Sequence, residues 1–249
     1  MTTGAATGAT IAERWAAVRA DVATACVRAN RDPASVTIVA VAKTHPSSSV
    51  REAILAGALD IGENYAQELV AKRAELATEL GAEADRIRWH FIGRLQRNKA
   101  KLVAGQVELV HAVDGTDLAE ELAKRRPASA IARQSPQRVL LSVNVAGETT
   151  KGGVALDQAP MIARAISTIQ GVTLDGFMTM PPPSSDDDPE ASRPAFTALA
   201  QLRDRLRDDL GLPLPVLSMG MSGDFGVAIA CGATHVRIGT AIFGARPPA

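Results

Sequence analysis

Aromatic residues are scarce in this chain of 249 residues: they make up 3%, with Tyr65 the only tyrosine. That argues against a platform for stacking nucleobases. Cysteine is nearly absent. Cys26 and Cys231 lie far apart and form no C-x-x-C, so neither a disulfide scaffold nor a thiolate zinc site is indicated. Net charge is lacking too. The 27 basic residues balance 27 acidic ones, which gives no reason to expect DNA or another polyanion as partner. No apolar run approaches the ~20 residues needed to cross a bilayer. Met1 to Thr10 have neither a basic nor an apolar leader region. A cytoplasmic protein with no membrane or nucleic-acid partner is expected.

What the chain does have is small and branched apolar residues, with a hydrophobic fraction of 46%. The length suits one undivided α/β domain over residues 1–249. An N-terminal helix is expected over about residues 8–30, with Ile11, Trp15, Val18, Val22 and Cys26 at helical spacing. From there strands and helices alternate. Strands are expected at 36–43, 59–62, 88–93, 109–113, 138–145, 172–178, 215–218 and 234–238. A basic helix is expected from Leu95 to about Val103, and a polar surface loop at 184–188. Alternation of this kind implies right-handed βαβ units and a parallel sheet. About eight units imply a closed (β/α)8 barrel of the TIM type rather than an open sheet.

In such barrels the chemistry sits at the C-terminal ends of the strands. Those ends carry Lys43, Asn64, His90, Met178, Met180, Ser218 and Arg237. Lys43 stands where a buried apolar run stops, just before Pro46. Desolvation there favours the neutral amine, a nucleophile toward carbonyls. A strand-closing lysine that snorkels to water is the commoner outcome for such a stretch taken alone. Two glycine-rich turns follow the last two strands: Ser218-Met-Gly-Met-Ser-Gly223 and Ile238-Gly-Thr240. Barrels commonly hold a phosphate after strands seven and eight. A Schiff-base lysine facing a phosphate site suggests pyridoxal 5'-phosphate (PLP) or a phosphorylated sugar.

The stretches Ala40-Val-Ala-Lys43-Thr, Gly62-Glu-Asn-Tyr65, Trp89-His-Phe-Ile-Gly93, Leu217-Ser-Met-Gly-Met-Ser222 and Val236-Arg-Ile-Gly-Thr-Ala-Ile-Phe-Gly244 resemble the PLP homeostasis protein family, in order and spacing, from about Val36 to Arg246. The resemblance implies a barrel like the N-terminal domain of alanine racemase. It implies Lys43 as the Schiff-base lysine, and Ser218, Gly239 and Thr240 at the phosphate. Arg237 would face the pyridine nitrogen, with Asn64 and Met180 lining the ring. Lys151 resembles a family lysine near the path of cofactor release. Arg94, Arg97, His45 and Gly223-Asp-Phe225 depart from the commonest family pattern.

His90, His111 and His235 lie in apolar strands, where hydrogen-bonded core or rim histidines are expected rather than metal ligands. His45, two residues past Lys43, reads equally as a loop histidine or a partner for an anion. The run Arg94, Arg97, Lys99, Lys101 reads as a solvated helix face. Function divides between a carrier and an enzyme. A PLP racemase needs an acid/base group on each face of the bound substrate, and Tyr65 lies within the barrel. An arginine at the ring nitrogen also weakens the cofactor as an electron sink. The expectation is a monomeric PLP carrier that supplies apo-enzymes, with no catalytic residue and no metal. An amino-acid racemase is the alternative, and a cofactorless aldolase-type lyase is a further possibility.

Overall fold

Parallel strands covered on both faces read as unbroken apolar runs, and Leu109–Val113 is buried at every position. The computed structural model describes residues 9–126, 135–147, 152–181 and 188–245. The expected loop at 184–188 and Lys151 therefore lie largely or wholly outside the described residues. The strands are β1 (Thr37–Val41), β2 (Asp60–Glu63), β3 (Arg88–Phe91), β4 (Leu109–Val113), β5 (Gln137–Asn144), β6 (Val154–Ala155), β7 (Val172–Met178), β8 (Val216–Ser218) and β9 (His235–Ile238). They pair in the order β4-β3-β2-β1-β9-β8-β7-β5, and a β4–β5 pairing closes the ring. All pairings are parallel. The fold is a closed eight-stranded barrel, as the alternation of elements implied.

The helices are α1 (Ile11–Arg28), α2 (Ser47–Leu55), α3 (Ala66–Leu80), α4 (Thr116–Arg125), α5 (Ala159–Ser167), α6 (Arg193–Leu210), α7 (Phe225–Ala230) and α8 (Thr240–Phe243). Ile11, Trp15, Val18, Val22 and Cys26 are the buried face of α1. Its first turn is closed by Thr10 and Glu13, which satisfy each other's backbone N–H groups. Arg14 Nε donates to the Ile242 carbonyl at 2.7 Å, and Arg31 donates to the carbonyls of Ile229 and Ala233. These bonds tie the N-terminal segment to α7 and α8, the short helices that follow the last two barrel strands.

Two expectations need correction. The helix expected from Leu95 to about Val103 is present but shorter, over Arg97–Leu102, and is a 3-10 helix. Arg97 and Lys101 would be like charges four residues apart on an α-helix, and no side chain caps its start. A strand absent from the expectation, β6, pairs with β5 through Val143↔Val154 and Asn144↔Ala155. Two residues are too few to show a period.

Strand residues alternate between the two sides of the wall. Val39, Val41 and Ile92 form one small apolar cluster, and Leu109, Ala112, Leu140, Met178 and Val216 another. The large remaining core includes Ala40, Ile61, Phe91 and Phe177 with the helix faces. His90, His111, Ser218 and Arg237 form a hydrogen-bonded polar group across the barrel, with the His235 ring beside the two histidines.

Candidate functional site

At the C-terminal ends of the strands a cavity of about 440 Å³ opens. Each strand of the ring brings something to it. Lys43 and His45 follow β1, Asn64 follows β2, and Ile92, Gly93 and Arg94 follow β3. Asp114 follows β4, and Ser142 comes from β5. Met178 and Met180 come from the end of β7, Ser222 and Gly223 from the loop after β8, and Arg237, Gly239 and Thr240 from β9 and its end. Six of the seven sequence-predicted site residues thus meet here: Lys43, Asn64, Met180, Arg237, Gly239 and Thr240. Ser218 does not line the cavity. It is fully buried, and its hydroxyl lies between Arg237 Nη1 at 2.6 Å and His111 Nδ1 at 2.8 Å. Ser222, four residues on in the same loop, is exposed in the lining.

The Lys43 turn is held from below. Thr44 has φ +65°, a left-handed conformation that disfavours a branched side chain. Its N–H donates to Glu68 Oε2 at 3.1 Å. Lys72 Nζ donates to the Ala42 carbonyl at 2.8 Å, to Glu63 Oε1 at 2.6 Å and to Glu68 Oε2 at 3.2 Å. Glu63 is fully buried, and burial pushes its pKa up against the opposing pull of Lys72. One buried ion pair on α3 and β2 therefore fixes the backbone on which Lys43 stands. The spacing of a helical lysine gave no sign of this.

Arg237 is 5% exposed and held as a fixed fork, with Nη2 donating to the Thr179 carbonyl at 2.9 Å. Burial lowers its pKa to about 10, against the attraction of Asp224, so it is a cation at neutral pH. Asp224 shapes the loop after β8. Its carboxylate accepts from the Met221 N–H at 2.7 Å and from the Ser192 hydroxyl at 2.9 Å. His45 is buried and stacks on Phe243 at 5.1 Å, which excludes a solvent-facing role. Lys43, Arg94 and Arg237 outnumber Asp114 in the lining, so the cavity favours an anion.

Two glycines let the walls meet. A Cβ on Gly93 would sit 2.2 Å from the Asn64 carbonyl oxygen, so only glycine allows β3 to end against the Asn64 turn. A Cβ on Gly239 would meet the Val41 carbonyl oxygen at 3.3 Å. Beside the cavity runs a larger groove of about 950 Å³, lined by Tyr65, Gln67, Arg97 and Asp117 among others. The two share Asn64, Arg94 and Asp114, whereas Tyr65 borders only the groove. Among the described residues no cluster could hold a metal ion, and no helix is long and apolar enough to cross a membrane.

Fold and mouth together define a barrel of the alanine racemase N-terminal class, and the model for "Alanine racemase, N-terminal domain" matches residues 15–247. An alanine racemase from Corynebacterium glutamicum shares that fold, with TM-score 0.65 at 17% identity over 94% of this chain and 63% of that one. Nearer relatives are more specific. The pyridoxal phosphate homeostasis protein of Pseudomonas aeruginosa is 46% identical over 95% of this chain and 96% of its own. PipY of Synechococcus elongatus, solved with PLP bound, has TM-score 0.78 at 33% identity over 94% of this chain and all of its own. The chain belongs to the pyridoxal phosphate homeostasis protein family.

Proposed function

We propose that this protein binds PLP in the barrel mouth, holds it as a Schiff base on Lys43, and supplies it to apo-enzymes without notable catalysis of its own. The carrying observation is the meeting of Lys43, Arg237, Ser222, Gly239 and Thr240 around one cation-rich cavity. The donor set fits the cofactor. Ser222 and Thr240 line the cavity and offer hydroxyls to a phosphate, and Gly239 beside them has no side chain to cover its backbone. Arg237, a donor only, suits an unprotonated ring nitrogen. Asn64 and Met180 would border the ring. In this reading Ser222 takes the phosphate role that the sequence resemblance assigned to Ser218. PLP supplies an aldehyde and, when an amino acid is bound, an electron sink. This chain's residues bind, orient and shield it.

The absence of marked catalysis rests on two features. A racemase needs a second proton carrier opposite the lysine, and Tyr65 borders the adjacent groove rather than the cavity. A cation at the ring nitrogen also disfavours ring protonation. The test mixes PLP-loaded protein with a PLP-dependent apo-enzyme and follows recovery of that enzyme's activity. α-Deuterium exchange on a panel of amino acids runs in parallel. Recovery with negligible exchange is expected. Exchange at enzyme-like turnover would overturn the reading in favour of a racemase. Borohydride should fix the cofactor on the peptide carrying Lys43, and Lys43→Ala should be colourless.

A further inference from the structure

A line of polar groups, buried from Arg237 to His90, crosses the barrel from its C-terminal mouth to a half-buried Asp60 at the start of β2. Arg237 Nη1 lies 2.6 Å from Ser218 Oγ, and Ser218 Oγ lies 2.8 Å from His111 Nδ1. His111 Nε2 lies 2.9 Å from His90 Nδ1, and His90 Nε2 lies 3.1 Å from Asp60 Oδ1. These groups come from five different strands or strand ends, so the contacts exist only in the closed barrel. Asp60 is the first residue of β2 and pairs with Arg88, the first of β3, at 2.6 Å.

The two ends fix the direction of every bond between them. A guanidinium has donors only, and an ionised carboxylate has acceptors only. Burial raises the Asp60 pKa, but hydrogen bonds from His90 and Arg88 outweigh it and bring the group to about 2. Asp60 is therefore anionic, and His90 Nε2–H donates to it. His90 Nδ1 then accepts from His111 Nε2–H, His111 Nδ1 accepts from the Ser218 hydroxyl, and Ser218 accepts from Arg237. Full burial holds His111 neutral. A second proton on His90 would reverse His111 and turn its Nδ1–H toward Ser218. The Ser218 proton would then have no acceptor among the described residues, a costly arrangement in a buried site. His235, whose ring lies 5.9 Å from that of His90 and 6.1 Å from that of His111, is also neutral, with burial lowering its pKa to about 3.

We propose that Ser218, His111, His90 and Asp60 are positioning residues for Arg237, joined in a one-way hydrogen-bond chain that orients the guanidinium at the mouth and couples it to a carboxylate at the far end of the barrel. The inference rests on the reading that a pyridine ring lies against Arg237. Ser218 and the two histidines serve the cofactor without touching it.

The test uses protein labelled with 15N in histidine, with and without PLP. Without ligand, His90 and His111 should each show the neutral Nε2–H tautomer, and Ser218→Ala or Asp60→Asn should change it. PLP should shift both sets of resonances. A PLP analogue with carbon in place of the ring nitrogen should bind and leave them nearly unmoved. Ser218→Ala and Asp60→Asn should also shift the pH midpoint of the bound chromophore, on the order of half a unit or more. Asp60→Glu should restore it in part. Nδ1–H or doubly protonated histidines in the unliganded protein would overturn the chain, even if Ser218→Ala fails to fold. So would variants that bind PLP with lowered melting temperature but an unchanged chromophore. Failure of the wild-type protein to bind PLP would overturn the functional reading, and the unliganded tautomers would still decide the chain.

Discussion

Lys72, inside α3, donates at 2.8 Å to the carbonyl of Ala42, the residue immediately before Lys43. The same ammonium neutralises Glu63, which is fully buried. Removing one partner of a buried pair leaves an uncompensated charge and costs about 3–5 kcal/mol. Lys72→Met should therefore destabilise the protein by about that much, and Lys72→Met with Glu63→Leu by clearly less. Urea denaturation of the three proteins checks this. A loss below about 1 kcal/mol in the single variant would mean the pair is solvated.

The loop after β8 and the turn after β9 are expected to divide the phosphate between them. Hydrogen bonds to a charged group contribute about 1.5–3 kcal/mol each, or about 10- to 100-fold in affinity. Ser222→Ala with Thr240→Val should weaken PLP by at least that factor and pyridoxal far less. Ser218→Ala should leave the ratio of the two affinities near the wild-type value. Binding titrations with both ligands test the assignment. A ratio that moves with Ser218 instead would return the phosphate to that residue.

Acid should weaken the fold. Burial holds His111 and His235 neutral, His235 down to about 3, while an unfolded histidine titrates near about 6.5. Depressed native values mean that this contribution is present above about pH 6.5 and is lost as pH falls toward about 3. Asp60, at about 2 in the fold, acts in the same direction over a lower window, from about pH 4 down to about 2. The urea midpoint should decline below about pH 6.5, with Glu63, whose pKa burial raises, opposing part of the decline. His235→Asn should flatten the upper part of that decline. A midpoint that rises on acidification would contradict the neutral assignment.

Gly93→Ala places a methyl group against backbone, at 2.2 Å from the Asn64 carbonyl oxygen. Overpacking of this kind typically costs about 1–3 kcal/mol, occasionally more. A lower melting temperature is expected, together with weaker PLP binding, because Asn64 must move from the cavity wall. Wild-type melting and affinity would show that β3 and the Asn64 turn are not locked together.

The barrel and most of its mouth are legible in the linear chain. Strand–helix alternation specifies parallel pairing, and the C-terminal end of each strand is a position in the chain. Lys43, Asn64, Met180, Arg237, Gly239 and Thr240 are therefore neighbours that the order of strands alone specifies, and they line one cavity. Which way side chains face, and what they meet across the barrel, depends on the closed fold. Ser218 and Ser222 belong to one short loop motif. Ser218 is the last residue of β8, paired with His235, and is turned into the barrel, whereas Ser222 lies beyond the strand and reaches the cavity. His90 and His111 were legible as strand histidines. Their contact, and the bond from His111 to Ser218 across 107 residues of sequence, follow from ring closure. The Lys72 clamp is of the same kind. A charge on a helix looks solvent-facing from its spacing, and only the packing of α3 against the end of β1 turns it into the support beneath Lys43.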